Sequence, residues 1–207
     1  MSETQWRTAI QENAETSRIR NVPPVELPAP VERLGIATAT RMGWHGSVLA
    51  PMTLLGRKVV AVAHLRADAH AERICLSIPP VTDRLTVATW TWPELAASAP
   101  PPAVELVGVL GIARHWRTGL GSTVPFASYC DTGIVLPWSA AMTQDYLSQC
   151  LPRAARYGVS VLTADPDGEV HLDQPGRQEP LLVEETPVIR WINELVYEQL
   201  LATVDAR

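Results

Sequence analysis

The segment 130–173 constrains the fold more than any other part of the chain. Its apolar run at 134–136 is rich in β-branched residues, which is typical of a buried strand. Apolar residues then recur every three or four positions from Ser139 to Tyr157 and predict a helix. A further apolar run at 159–163 predicts a second strand. Because a helical crossover joins parallel strands, we expect these two strands to pair in parallel.

A tight turn is expected after the second of these strands. The sequence Asp-Pro-Asp-Gly at 165–168 combines a proline that presets φ with a glycine that tolerates positive φ. The strand expected at 169–173 is therefore antiparallel to its predecessor, and the whole segment predicts a mixed sheet. We also expect Ser139 to cap the helix, Pro152 to kink it and Gly158 to end it in the left-handed conformation.

The first half of the chain predicts an antiparallel meander instead. Alternating or β-branched apolar residues favour the three strands of this meander at 58–65, 73–78 and 84–92, and a separate short strand at 34–40. The segment 103–117 is expected to be a helix, although its two glycines weaken it, because strands of that length are uncommon. A brief strand at 181–183 and a final helix that begins at Thr186 and Pro187 complete the pattern. The predicted class is α/β (α+β): a mixed sheet with helices packed on it as a sandwich.

The first thirty residues differ in composition from the rest of the chain. Residues 2–20 are polar with few apolar positions, and 21–30 are rich in proline, which favours an extended and semi-rigid linker. We therefore predict a mobile arm with its linker over 1–30 and a single domain over 31–207. Two similar halves, 31–120 and 121–207, are the alternative organisation.

Charge, hydropathy and cysteine usage exclude several classes of protein. The formal net charge is −5 without a basic cluster, which argues against a nucleic-acid partner. No run approaches the roughly 18 apolar residues of a membrane-spanning helix, and the polar N-terminus does not resemble a signal peptide, so we expect a cytoplasmic protein. Three widely spaced cysteines suit buried thiols in a reducing compartment better than disulfides. Homo-oligomerisation stays open.

No motif for catalysis, cofactor binding or metal binding stands out. His64 and His70 lack the further ligands that zinc needs. The glycine-rich segment 119–123 lacks both the P-loop lysine and the strand-to-helix context of a dinucleotide site. Cys130 beside Asp131 could supply a thiol nucleophile, but a buried thiol is the favoured interpretation. We predict no cofactor and no metal.

Three short stretches remain as candidate binding sites. The first is a glycine-flanked loop with Trp44 and His45. The second is a compact polar and aromatic patch at 114–117, which could bind an anionic or peptide ligand. The third is the pair Trp138 and Ser139, which follows a predicted parallel strand. The candidates are Trp44, His45, Arg114, His115, Trp116, Arg117, Trp138 and Ser139. A tight turn and an exposed helix end explain the first two stretches without any ligand.

Short motifs also suggest a family. They are Gly43-Trp44-x-Gly46-Ser47, Ala50-Pro51, Leu55-Gly56-Arg57, Ile134-Val135-Leu136-Pro137, Cys150-Leu151-Pro152-Arg153-Ala154 and Tyr157-Gly158-Val159. Over roughly residues 34–175 the chain thus resembles uncharacterised mycobacterial and actinobacterial proteins encoded near type VII secretion loci. Those proteins are mostly α/β domains of unknown function. The resemblance implies a secretion-associated accessory role and assigns no catalytic residue.

The leading functional prediction is a non-enzymatic accessory or adaptor module that binds another protein. It depends on the arm, on seven tryptophans that could form a binding face and on the missing catalytic motif. The alternative is a small-molecule-binding or hydrolytic enzyme with its site at the strand ends near Pro137, Trp138 and Ser139 and near Ala164 and Asp165.

Overall fold

The computed structural model describes residues 25–179 and 185–205. Its strands are β1 (Ser47–Val48), β2 (Met52–Leu54), β3 (Arg57–Leu65), β4 (Val104–Ile112), β5 (Asp131–Pro137), β6 (Ser160–Ala164) and β7 (Val170–Gln174). Its helices are α1 (Val31–Met42), α2 (Ala67–Cys75), α3 (Arg84–Thr89), α4 (Trp116–Thr123), α5 (Trp138–Ala141), α6 (Leu151–Tyr157) and α7 (Pro187–Asp205). Short 3₁₀ helices lie at Ala96–Ser98 and Val124–Phe126, and a π-helical turn lies at Tyr146–Cys150.

The strands form one mixed sheet in the order β1-β3-β4-β5-β6-β7, and β2 also pairs with β3. The pairs β4–β5 and β5–β6 are parallel, whereas β3–β4 and β6–β7 are antiparallel. The predicted mixed sheet is confirmed. The sheet is continuous from β4 to β5, because Gly108–Ile112 of β4 pair with Asp131–Val135 of β5. The alternative of two similar halves stays a prediction.

The crossover between β5 and β6 follows the prediction with one correction. The connection is helical, but it is divided into α5, the π-helical turn and α6, and Pro152 lies in the first turn of α6. Ser139 is not the cap, because Pro137 occupies the N-cap position and Ser139 lies inside α5. Gly158 ends α6 with φ of 67°, as expected. Gly168 closes the next turn with φ of 84° and donates its N–H to the carbonyl of Asp165.

The antiparallel meander predicted for the first half is wrong. Only the strand at 58–65 is confirmed, as β3. The segment 34–40 belongs to α1, which ends at Gly43 in the left-handed conformation, and 73–78 forms the end of α2 and the loop after it. The segment 84–92 begins with α3, whose first turn is capped by Asp83. The Asp83 cap favours the helix at 84–89, and in all three segments alternation over so few residues does not exclude a helix.

The helix predicted at 103–117 is also wrong, since this segment contains β4. Its glycines allow neighbours to lie directly against the strand. A Cβ atom at Gly108 would lie 2.5 Å from the Trp44 ring, and one at Gly111 would lie 2.6 Å from Ser122 Oγ. Glycine in a strand often marks such a close approach, and here it admits an aromatic ring on one face and helix α4 on the other.

Helices cover both faces of the sheet, which confirms the sandwich. Successive residues of β5 point to opposite faces: Ile134 packs in the cluster that includes Cys150 and Ala154, and Val135 packs with Leu34 of α1. A further cluster places α7 against the β2–β4 region, with Ile192 as a fully buried member.

Only residues 25–30 of the predicted arm are described. Leu27 and Ala29 in this stretch pack against the cluster of α1. Residues 1–24 of the arm and the strand predicted at 181–183 lie outside the described residues. Within the described part, no helix is both long enough and apolar enough to cross a membrane.

The connecting segment, residues 66–103, joins two strands that are neighbours in the sheet, since Leu65 and Val104 form the last pair of β3 and β4. It is fastened to α7 by the buried Arg73, which donates to both carboxylate oxygens of Glu194 at 2.8 and 2.5 Å. The indole of Trp191 on α7 also donates to the carbonyl of Thr82 at 2.7 Å. Polar bonds therefore hold this segment to the final helix.

Candidate functional site

The sheet divides at the end where β3 begins and β4 finishes. The ladder between these two strands ends at the pair Val60–Leu110. The residues that precede Val60 in β3 pair with β2, and β4 continues to Ile112 beside β5. The two strands therefore separate beyond this point, and a cavity of about 630 Å³ is lined by both of their ends.

One side of this cavity is apolar. Aliphatic side chains from α1 and from the ends of both strands line it: Val31, Val59, Val60, Leu110 and Ile112. Helix α4 contributes Gly121 and Ser122 to the lining. Val31 and Ile112 are half-buried, whereas Val59, Val60 and Leu110 are at most 2% exposed, so the apolar surface open to the cavity comes from the half-buried residues.

The other side of the cavity is cationic. Arg57 and Lys58 come from the start of β3, Arg114 from the loop after β4 and Arg117 from the first turn of α4. No described lining residue is acidic. Arg117 lies 3.2 Å from Asp145, whereas the other three cations form no salt bridge with any described residue. Four like charges around a concave surface create a potential that attracts anions, although the whole chain is acidic.

The patch predicted at 114–117 is divided between this cavity and the core. Arg114, His115 and Arg117 line the cavity. Trp116 is buried beneath them, and its indole nitrogen donates to Asp145 at 2.8 Å. The Arg117 guanidinium lies 4.5 Å from the centre of the Trp116 ring. Trp116 thus supports the side chain of Arg117, and its ring packs in the apolar cluster below.

The other candidate residues do not join them. Trp44 is half-buried against Gly108, and His45 beside it is exposed. Trp138 and Ser139 are exposed at the start of α5. None of these four side chains lines the cavity described above.

Sequence reasoning missed Arg57, Lys58 and the apolar side of the cavity. Two adjacent cations after a glycine turn were visible at the start of the strongest strand. Nothing in the order of residues indicates that they lie near Arg114, because that proximity depends on the antiparallel pairing of β3 and β4.

The two buried cysteines, Cys130 and Cys150, offer no activated nucleophile. Cys130 is buried, and the loss of solvent raises the pKa of its thiol far above the usual range, with a smaller contribution from Asp131. Burial also raises the pKa of Cys150 to about 11. Both thiols therefore stay protonated at neutral pH. Cys75 is exposed.

One group of side chains has the composition of a metal site but is explained by a turn. Ligand atoms of Asp165, Glu169 and His171 lie within 4.8 Å of one another. The carboxylate of Asp165 already accepts the N–H groups of Asp167 and Glu169 at 3.0 and 2.9 Å. These bonds, led by that from Glu169, lower the pKa of Asp165 and are the usual role of an aspartate in a turn.

The sequence matches no family model, and no curated protein or solved structure is significantly similar to it. The resemblance to proteins encoded near type VII secretion loci therefore stays a prediction. Any function has to follow from the cavity and from the surface of the protein.

Proposed function

We propose that the protein binds a small organic anion in the cavity between β3 and β4. The observation that carries this proposal is that four cationic residues from three parts of the chain line one cavity. The described lining of this cavity contains no carboxylate. Arginine forks suit carboxylate and phosphate oxygens in particular, because they offer two parallel donors.

Binding fits this lining better than catalysis does. His115 is the one imidazole among the described lining residues, and neither a carboxylate nor a thiol accompanies it there. The hydroxyl of Ser122 donates to the carbonyl of Gly119 at 2.8 Å and is therefore already engaged. An activated nucleophile needs a base within hydrogen-bonding distance and a group that orients that base.

Calorimetric titration with carboxylates, phosphates and neutral analogues of the same size tests the proposal. Since a hydrogen bond to a charged group contributes about 1.5–3 kcal/mol, Arg57→Ala or Arg114→Ala should weaken anion binding roughly 10- to 150-fold. Arg156→Ala is the matched control, because Arg156 is exposed on α6 away from the cavity. Binding should also weaken as salt is added.

Two results would contradict the proposal. One is a panel of anions in which no member binds more tightly than its neutral analogue. The other is an equal loss of affinity in Arg114→Ala and in the Arg156→Ala control, which would indicate a general charge effect.

An adaptor function is the second candidate, and exposed apolar side chains on the connecting segment favour it. These side chains are Ile74, Leu76, Leu85, Trp92 and Leu95, with Leu85 78% exposed. Contiguous exposed apolar side chains often mark protein interfaces, and tryptophan is a frequent anchor in such interfaces.

The adaptor candidate is tested by comparing partners captured by the wild type and by a Leu85→Ser/Trp92→Ser double variant. A specific partner should be lost from the double variant and retained by Arg114→Ala and by a chain without residues 1–24. An identical set of partners for wild type and double variant would exclude this surface. Loss only with the truncated chain would assign the interaction to the arm.

A further inference from the structure

We infer that the ligand of this cavity is an amphipathic anion, with an acidic head group among the cations and an apolar body in the gap between β3 and β4. This inference rests on the proposed function and adds the chemical class of the ligand. It excludes both inorganic anions and uniformly polar metabolites as the natural occupant.

The distribution of the lining residues carries the inference. The cations lie at the start of β3, in the loop before α4 and in the first turn of α4, whereas the half-buried aliphatic side chains of Val31 and Ile112 line another part of the same cavity. A small inorganic anion would contact the cations and leave this half-buried apolar surface in water. An apolar body removes that surface from water, which is the favourable part of most ligand binding.

The size of the cavity agrees with such a ligand. Its volume of about 630 Å³ lies within the range of about 300–1,000 Å³ that is usual for ligands of drug size. The head group is a carboxylate or a phosphate, since both fit arginine forks. Ligands that carry each head group on the same chain distinguish the two.

Gly121 provides a steric probe of the gap. It lines the cavity on α4, and a Cβ atom added there meets no atom within 4 Å. Gly121→Phe should therefore fill the gap without a clash at its first atom and leave Arg57 and Arg114 in place. Gly121→Ala is the matched control, and alanine also favours the helix relative to glycine.

The experiment is a calorimetric titration of the full chain with inorganic phosphate, with butyl, hexyl and octyl phosphate, with the matching carboxylates and with hexanol. Because a buried methylene contributes about 0.8 kcal/mol, affinity should rise roughly fourfold per methylene until the gap is full. Hexanol should bind at least tenfold more weakly than hexyl phosphate. Gly121→Phe should abolish the dependence on chain length and change the affinity for inorganic phosphate less than about twofold.

The variants separate the head group from the apolar body. Arg114→Ala should weaken every anion by a similar factor and preserve the dependence on chain length. Gly121→Ala adds one carbon at the same position and should reduce the dependence on chain length far less than Gly121→Phe does. Circular dichroism and thermal melts of each variant show that a lost affinity does not reflect unfolding.

Failure of this inference can be told apart from failure of the proposed function. Affinity for anions that does not change with chain length would overturn the amphipathic ligand and leave the anion site intact. No binding of any anion, or equal binding of hexanol and hexyl phosphate, would overturn both.

Sedimentation with phosphatidylglycerol vesicles is a separate experiment. Retention that depends on Arg114 but not on the Gly121→Phe block would indicate a lipid surface and overturn the cavity-bound ligand.

Discussion

The buried ion pair between the connecting segment and α7 gives the sharpest prediction for stability. The change is Glu194→Gln, which keeps the shape of the side chain and removes its charge. In the wild type, Arg73 has no solvent exposure, and Glu194 also accepts the N–H of Val81 at 3.0 Å. The substitution therefore leaves a buried guanidinium without its countercharge.

The expected loss is large for a single residue. Removing one partner of a buried pair typically costs about 3–5 kcal/mol, a substantial part of the roughly 5–15 kcal/mol that stabilises a folded domain. For a chain of this length, we expect the melting temperature to fall by roughly 6–20 °C. Glu198→Gln is the control on the same helix, because Glu198 is exposed and its change should shift stability by less than about 0.5 kcal/mol.

Urea unfolding followed by circular dichroism measures this loss. A double variant, Arg73→Met/Glu194→Leu, should recover part of it, because it removes both charges and replaces them with apolar groups of similar size. Recovery should be incomplete, since the carbonyl of Pro101 and the N–H of Val81 lose their partners. If Glu194→Gln unfolds at the same urea concentration as Glu198→Gln, the reasoning about burial is refuted.

Three further predictions concern the cap, the thiols and the sheet. Hydrogen bonds from Thr86 lower the pKa of Asp83. The stability that this cap contributes should therefore be present above a pH of about 4 and be lost as the pH falls through the lowered pKa. Asp83→Asn should flatten that part of the pH profile in thermal melts. A thiol reagent should modify Cys75 quickly in the folded chain and should modify Cys130 and Cys150 only after unfolding. Fast reaction of Cys130 and Cys150 in the folded chain would contradict the burial of these two thiols. Gly111→Ala should cost about 1–3 kcal/mol in urea unfolding, because its added carbon overlaps α4, and an unchanged midpoint would contradict that contact.

The second half of the fold could be predicted because its signals are local. The turn at 165–168 and the left-handed Gly158 each fix the backbone through residues adjacent in sequence. Together with the apolar run in β5, they determine the order and direction of three strands. The division of the helix at the π-helical turn could not be predicted, because it depends on where Tyr146 and Cys150 pack.

The first half was mispredicted because tertiary contacts decide it. The apolar spacing in β4 suits a buried strand as well as a helix, and only the ring of Trp44 and helix α4 explain Gly108 and Gly111. The alternation at 84–92 became α3 because Asp83 caps it, Val87 is buried and the helix packs against α7. Periodicity over fewer than ten residues leaves such choices open.

Only part of the candidate site could be predicted from the sequence. Arg114, His115 and Arg117 form one contiguous patch that could be identified by composition. Arg57 and Lys58 are far from them in the chain and reach the cavity through the pairing of β3 with β4. The cavity itself exists because that pairing stops early, and no residue pattern records where a ladder ends.

The connecting segment has a consequence for how this fold can change. Because Leu65 and Val104 are paired, the segment leaves the sheet and returns to it at the same place, as the loop of a hairpin does. The entropic cost of closing a loop grows only with the logarithm of its length. A shorter or longer insertion is therefore compatible with the same sheet and the same cavity. A chain that keeps Arg73 and Thr82, which bond to α7, can therefore carry a different exposed surface around Leu85 and Trp92 and still keep β3 and β4.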